Sequence, residues 1–184
     1  MSPRPTTESV KEAVTTFYDL ITKYQPLGIP KGEAKRSLWP LLSSRLARQL
    51  DRLQACEEDY DRRNGERDRG EQLKPAFGWL ESGLFSGENE AASPSRFAIT
   101  KILPRANGSF AVHLRFTYIQ TYADGSPPQE ESNYRGIAIV VLERGRYLID
   151  DFMPLDSENK KPCCAMSRFY AECRGGEWVG PDRK

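Results

Sequence analysis

Long apolar runs are missing from this chain. No stretch approaches the ~20 apolar residues that cross a bilayer, so no membrane span is expected. The opening MSPRPTTESV has no apolar segment of the kind a secretory leader carries. An exported protein written without its leader stays open as an alternative. An excess of one charge sign is missing too: 27 Lys and Arg face 26 Asp and Glu, for a net charge of +1. A nucleic-acid binder shows a basic excess or stripe, whereas the richest charged run, CEEDYDRRNGERDRGEQ, mixes both signs and leans acidic. No nucleic-acid partner is expected. Histidine is nearly absent, with His113 alone, and no two of the four cysteines (56, 163, 164, 173) have C-x-x-C spacing. P-loop, Rossmann, H-E-x-x-H, EF-hand and G-x-S-x-G patterns are all lacking. No metal and no cofactor is therefore expected.

What is present suits one soluble domain. A chain of 184 residues with 38% apolar content can bury a core without metal or disulfide staples. Residues 1–7, with Pro3 and Pro5, are expected to be a disordered lead-in. Val10, Val14, Phe17, Ile21 and Tyr24 then follow helical three-and-four spacing. Ser9 and Glu12 have capping-box spacing, with Thr6 or Thr7 as alternative caps. Pro26, Gly28 and Pro30 end this helix. A second helical region covers about 34–62 and is split at Pro40, with Ser43 or Ser44 capping the longer part. Leu46, Leu50, Leu53, Cys56 and Tyr60 line one face of it. The run 57–72 reads as a fraying helix end and a loop. The segment that follows is irregular, and its Phe77, Trp79, Leu84 and Phe85 would cover one end of a core.

From residue 96 the period becomes two. Phe110, Val112, Leu114, Phe116, Tyr118 and Tyr122 alternate with Ala111, His113, Arg115, Thr117 and Thr121. That predicts a long strand with one buried and one wet face. Asn107-Gly108 marks a hairpin before it. ADGSPPQEES forms the next connection, YRGIAIVVLE the third strand, and RYLIDDF the fourth. The tail is expected to form a short helix, then Gly175-Gly176 and an extended end. Helices followed by strands indicate α+β. The fold expected is N-terminal helices packed on a curved antiparallel sheet of about four strands, cone-like, with a short C-terminal helix.

The helical first half, the irregular aromatic segment and a hairpin-rich sheet ending in Gly145-x-Tyr147-Leu148-Ile149-Asp150-Asp151 resemble the nuclear transport factor 2-like (cystatin-like) superfamily. More narrowly, Lys74-Pro75 with Trp79 and Phe85, together with YLIDDF, is similar to a bacterial domain family of unknown function in that superfamily. The resemblance covers roughly 8–155. It implies a single cone-like domain there; 156–184, outside the resemblance, is expected to be an extension packed on it. Members of that family are often exported or lipid-anchored, which implies a periplasmic or secreted protein, with a cytoplasmic one as the alternative. Fold alone does not carry function.

Simple alternation puts Tyr147, Ile149 and Asp151 on one face of the last strand. The resemblance makes that face the concave one, so Asp151 would look into the mouth of the cone and Asp150 outward. One reading makes Asp151 a general base or the anchor of a polar ligand, beside Tyr118, Tyr122, Tyr134 and Trp79. The plainer reading has it bonding an arginine or backbone amides of the helical layer. The aromatics likewise either line a pocket or fill the cone. His113 falls on the wet face, away from both.

An even cysteine count suits one or two disulfides and an oxidising compartment, with four buried thiols as the plain alternative. A single helix over 164–173 would hold Cys164 roughly 13 Å from Cys173, too far to bond. Cys163 and Cys164 are adjacent and would pair only with strain. Cys56 is then the natural partner of a tail cysteine, Cys173 first and Cys164 next. Taken together, a noncatalytic domain is expected, binding a small ligand or a protein through the open end of the cone. The alternative is a small-molecule isomerase, dehydratase or hydrolase using Asp151 as base. A homodimer stays open.

Overall fold

The structure is a computed structural model. It describes residues 6–71, 83–86, 94–120, 127–155, 165–169, 173–174 and 177–178. Three helices come first: α1 (Thr7–Tyr24), α2 (Gly32–Leu38) and, after a 3-10 turn over Trp39–Leu41, α3 (Ser44–Glu71). Four strands follow, β1 (Arg96–Pro104), β2 (Phe110–Gln120), β3 (Gln129–Glu143) and β4 (Arg146–Leu155). They form one antiparallel sheet in chain order, a meander. A one-turn helix α4 (Met166–Phe169) and a ribbon of β5 (Cys173–Arg174) with β6 (Glu177–Trp178) are the last elements among the described residues. The architecture is α+β, as the order of periodicities predicts.

Local chemistry explains the boundaries. Thr6 caps α1, its hydroxyl accepting from the Ser9 N–H at 3.3 Å, so the helix reaches one residue into the expected lead-in. Residues 1–5 lie outside the described residues. Ser43 caps α3 through the Leu46 N–H at 3.1 Å. The expected fraying end and loop over 57–72 is helical as far as Glu71, as the last turns of α3, and residue 72 lies outside the described residues. The helix charges stand three and four apart, so Asp59 pairs with Arg62 and with Arg63 along the helix face. Strand β3 starts at Gln129 and takes in residues assigned to a connection, with Glu130 opposite Ile119 and held by Arg96. Arg144 and Gly145, at φ 52° and 77°, make the tight turn into β4.

The core lies between α1, α3 and one face of the sheet. Val112, Leu114 and Phe116 of β2 are at most 1% exposed, as alternation demands. Helix α1 packs against β1, β3 and β4, and α3 against β4. Phe17, Tyr18, Phe116 and Phe152 are fully buried, and they meet at tilted or edge-on angles, such as 5.2 Å and 82° for Phe17 and Tyr18. Such pairs add about 0.5–1.5 kcal/mol each beyond burial. Gly136 has a packing reason: a Cβ built there would overlap the Phe152 ring.

Candidate functional site

The strand carrying the two carboxylates does not alternate simply. Val140 pairs with Ile149, but Ile139 pairs with Asp151, so β4 holds one extra residue at Asp150. A bulge of this kind bends the strand and re-aims its side chains. Ile149 and Phe152 both enter the core, at 1% and 0% exposure. Asp151 takes the opposite face, with Ile139. The expectation that Asp151 shares a face with Tyr147 and Ile149 is corrected: the bulge turns it away from the concave side.

There Asp151 is 8% exposed and well bonded. Its Oδ1 accepts the N–H groups of Phe152 at 2.9 Å and Ser167 at 3.0 Å. Its Oδ2 accepts the Ser167 hydroxyl, and an Arg45 nitrogen lies 3.8 Å away. Asp150 accepts from the Ser43 hydroxyl and from Arg45 Nε at 3.0 Å. Gln49 donates to the Ser167 carbonyl at 2.8 Å. The first turn of α3, the β4 bulge and α4 are thus tied by one polar knot. Ser43 also donates its N–H to the Ile149 carbonyl at 2.8 Å, and Leu42 bridges Ile149, which covers part of the β4 edge. Next to the knot, Glu143 accepts the Ser44 N–H at 2.9 Å and its hydroxyl. Those Ser44 bonds hold the Glu143 carboxyl below its ordinary value.

Of the residues expected around the mouth, two are brought together. Tyr118, 6% exposed, meets the Tyr134 ring edge-on at 4.8 Å. The Tyr118 hydroxyl donates to the Ser86 carbonyl at 3.4 Å, and the Tyr18 hydroxyl to that of Phe85 at 3.0 Å. Burial, with Tyr118 adding to it, pushes the Tyr18 hydroxyl well above its usual pKa, so it stays a donor. The turn over residues 83–86 is held in this way against the core, with Leu84 and Phe85 buried and Phe85 against Phe17 at 5.0 Å. A shallow depression beside it, lined by Ile21, Pro26, Gly28 and the turn, has no enclosed room for a water-sized molecule. Trp79 and Tyr122 lie outside the described residues.

His113 stands on the outer face of β2 between Lys101 and Ile137. Partial burial, then Lys101, lowers its pKa. Cys56 is 6% exposed on the core side of α3. The chain at Cys173 is β5 rather than helix, and α3 packs against that strand. Among the described residues, the helix expected over 164–173 is α4 alone, so a helix length does not set the distance between Cys164 and Cys173. The side chain of Cys173, like Cys163 and Cys164, is outside the described residues. Among the described residues, no three His, Cys, Asp or Glu side chains group as a metal site, and no helix is long and apolar enough to cross a membrane.

An arginine and a backbone amide of the helical layer do meet Asp151, and which ones, Arg45 and Ser167, with Gln49 beside them, was not legible in the sequence. One signal was present: in Tyr147-x-Ile149-x-x-Phe152 the apolar spacing slips from two to three, which marks a bulge. No family model, curated protein or solved structure matches the chain.

Proposed function

We propose that this protein is a noncatalytic binding domain of the nuclear transport factor 2-like type. The fold assignment is supported by α1 lying across a bulged four-strand meander that follows the helices. The observation carrying the function is the state of Asp151. A general base must reach the substrate proton, whereas Asp151 faces away from the concave side, is 8% exposed and already accepts from two N–H groups and a hydroxyl. That leaves the enzyme reading, with Tyr118 or Tyr134 assisting, without its base. Binding is assigned to the mouth of the cone, where Tyr118, Tyr134 and the 83–86 turn meet. A small ligand or a protein segment would engage the turn from outside, next to the depression at Ile21 and Pro26.

The test follows amide and ring signals of Tyr118, Tyr134 and residues 83–86 while a metabolite library is added. Saturable shifts confined to that end support the proposal. Shifts centred on Asp151 together with conversion of an added compound would replace it with the enzyme reading.

An exported bacterial origin and a Cys56–Cys173 bridge complete the proposal. The disulfide-bonded state of the Cys56 sulfur and the packing of α3 against β5 support the bridge. It would clamp the tail over α3. Peptide mapping without reductant tests it, and a bridge to Cys163 or Cys164 would refute the pairing.

A further inference from the structure

The sheet face turned away from α1 carries charge that the fold does not use. Strand pairing sets Arg115 directly opposite Arg135, with Ala98 on the other flank of Arg115. One row along, Lys101 stands beside His113. Residues opposite one another on a sheet face have Cβ atoms about 4.5–5.5 Å apart, and like charges there repel. Arg115, Arg135 and Lys101 are all exposed, and among the described residues none of the three has a charged partner. The nearby carboxylates are already taken: Glu130 by Arg96, Asp150 by Arg45, and Asp151 by Ser167. The sheet thus holds a cationic cluster together at some cost in repulsion, with no counter-charge among the described residues.

Aliphatic side chains surround the cluster. Leu155 stands opposite Arg135, and Met153 opposite Ile137, both partly exposed. Every aromatic residue of β1 to β4 is packed into the core cluster on the other face. Sheets that bind single-stranded nucleic acid stack successive bases on several exposed aromatics, and the described strands offer no Phe, Tyr or Trp on this face. Guanidinium groups beside aliphatic surface match carboxylates carried on a partly apolar chain, since Arg pairs carboxylates through two parallel hydrogen bonds. We propose that this outer face docks an acidic segment of a partner protein, Arg115 and Arg135 pairing its carboxylates while Met153 and Leu155 cover its apolar side chains. The site is separate from the mouth of the cone, so its failure leaves the mouth reading standing.

The experiment adds a synthetic peptide rich in Glu and Leu to the full chain at low salt and follows amide shifts. A Lys-for-Glu version of the peptide and a single-stranded oligonucleotide are the comparisons. Saturable shifts centred on Ala98, Arg115 and Arg135, weakening as salt screens the charges, are expected. Arg115→Glu with Arg135→Glu should weaken binding by about tenfold or more, and Arg115→Gln with Arg135→Gln should leave the thermal midpoint unchanged or raised, because only the neutral pair removes the repulsion. Arg115→Gln with Arg135→Gln gives the same loss should the charge reversal fail to fold. Absence of saturable shifts on this face, undiminished binding by the folded variant, or tighter binding of the Lys peptide or the oligonucleotide would each overturn the proposal.

Discussion

The Tyr147 hydroxyl is buried and has no hydrogen-bond partner among the described residues, while its ring packs edge-on against Phe110 at 5.8 Å. A buried hydroxyl without a partner forfeits its hydration for nothing in return, at about 1–3 kcal/mol. Tyr147→Phe keeps the ring contact and removes the orphan group, so the variant is expected to be more stable by about 1 kcal/mol, read as a raised midpoint in denaturant. A loss of stability would mean that the hydroxyl is satisfied by something beyond the described side chains. Tyr118 and Tyr18 differ from it in chemistry as well as place, since their hydroxyls hold the 83–86 turn. Which tyrosines would be core and which would reach a partner could not be read from spacing. All three sit at regular periodic positions, and only the path of the distant turn separates them.

At the scale of elements, β4 is the part that binds the layers to one another. Its bulge lets Ile149 and Phe152 enter the same core and turns Asp151 toward α4. Asp151→Asn keeps the shape but removes the charge and presents a donor where two N–H groups and a hydroxyl need an acceptor. A loss of about 1–3 kcal/mol is expected, accompanied by faster amide exchange at Ser167, because α4 loses its anchor. Unchanged exchange there would show that α4 is held by other contacts. Glu143 makes a similar bond at the start of α3, where a carboxylate suits the helix N-terminus. Its pKa is lowered from 4.5, first by the Ser44 hydroxyl and then by the Ser44 N–H. Its contribution is therefore present above pH 4.5 and is lost as the pH falls through the depressed folded value. Glu143→Gln should flatten the acid limb of the stability curve below that point, as measured by thermal melts across pH. The helix and strand order, the split at Pro40 and the Ser43 cap were all legible, because each follows from neighbours a few residues apart. The length of α3 was underestimated, since past Tyr60 the apolar stripe stops and the charges pair along the helix instead, as Asp59 does with Arg62 and Arg63.

Across the whole molecule, the tail adds contacts that the helix-and-sheet domain alone would lack. Gln49 of α3 and Asp151 of β4 both bind Ser167, and α3 also meets β5. A Cys56–Cys173 bridge, as proposed, would close a long loop over these contacts, and the chain-entropy model gives about 4–5 kcal/mol for one of that size, an upper figure. Reductant is thus expected to lower the melting temperature clearly, and Cys56→Ala to reproduce that loss and to be insensitive to reductant. A melt indifferent to reductant would remove the bridge from the account.

Local pattern carries the α+β layout and most of the core: periods of 3.6 and 2, caps and turn residues act over a few positions, and burying one apolar face leaves little choice of arrangement. Where the carboxylates point and whom they bind is a matter of long-range packing. A single inserted residue in β4 reverses the facing of Asp151, and its partners Arg45 and Ser167 arrive from elements far away along the chain. Local pattern carries no information about such distant encounters, and the chemistry of a site is made of them.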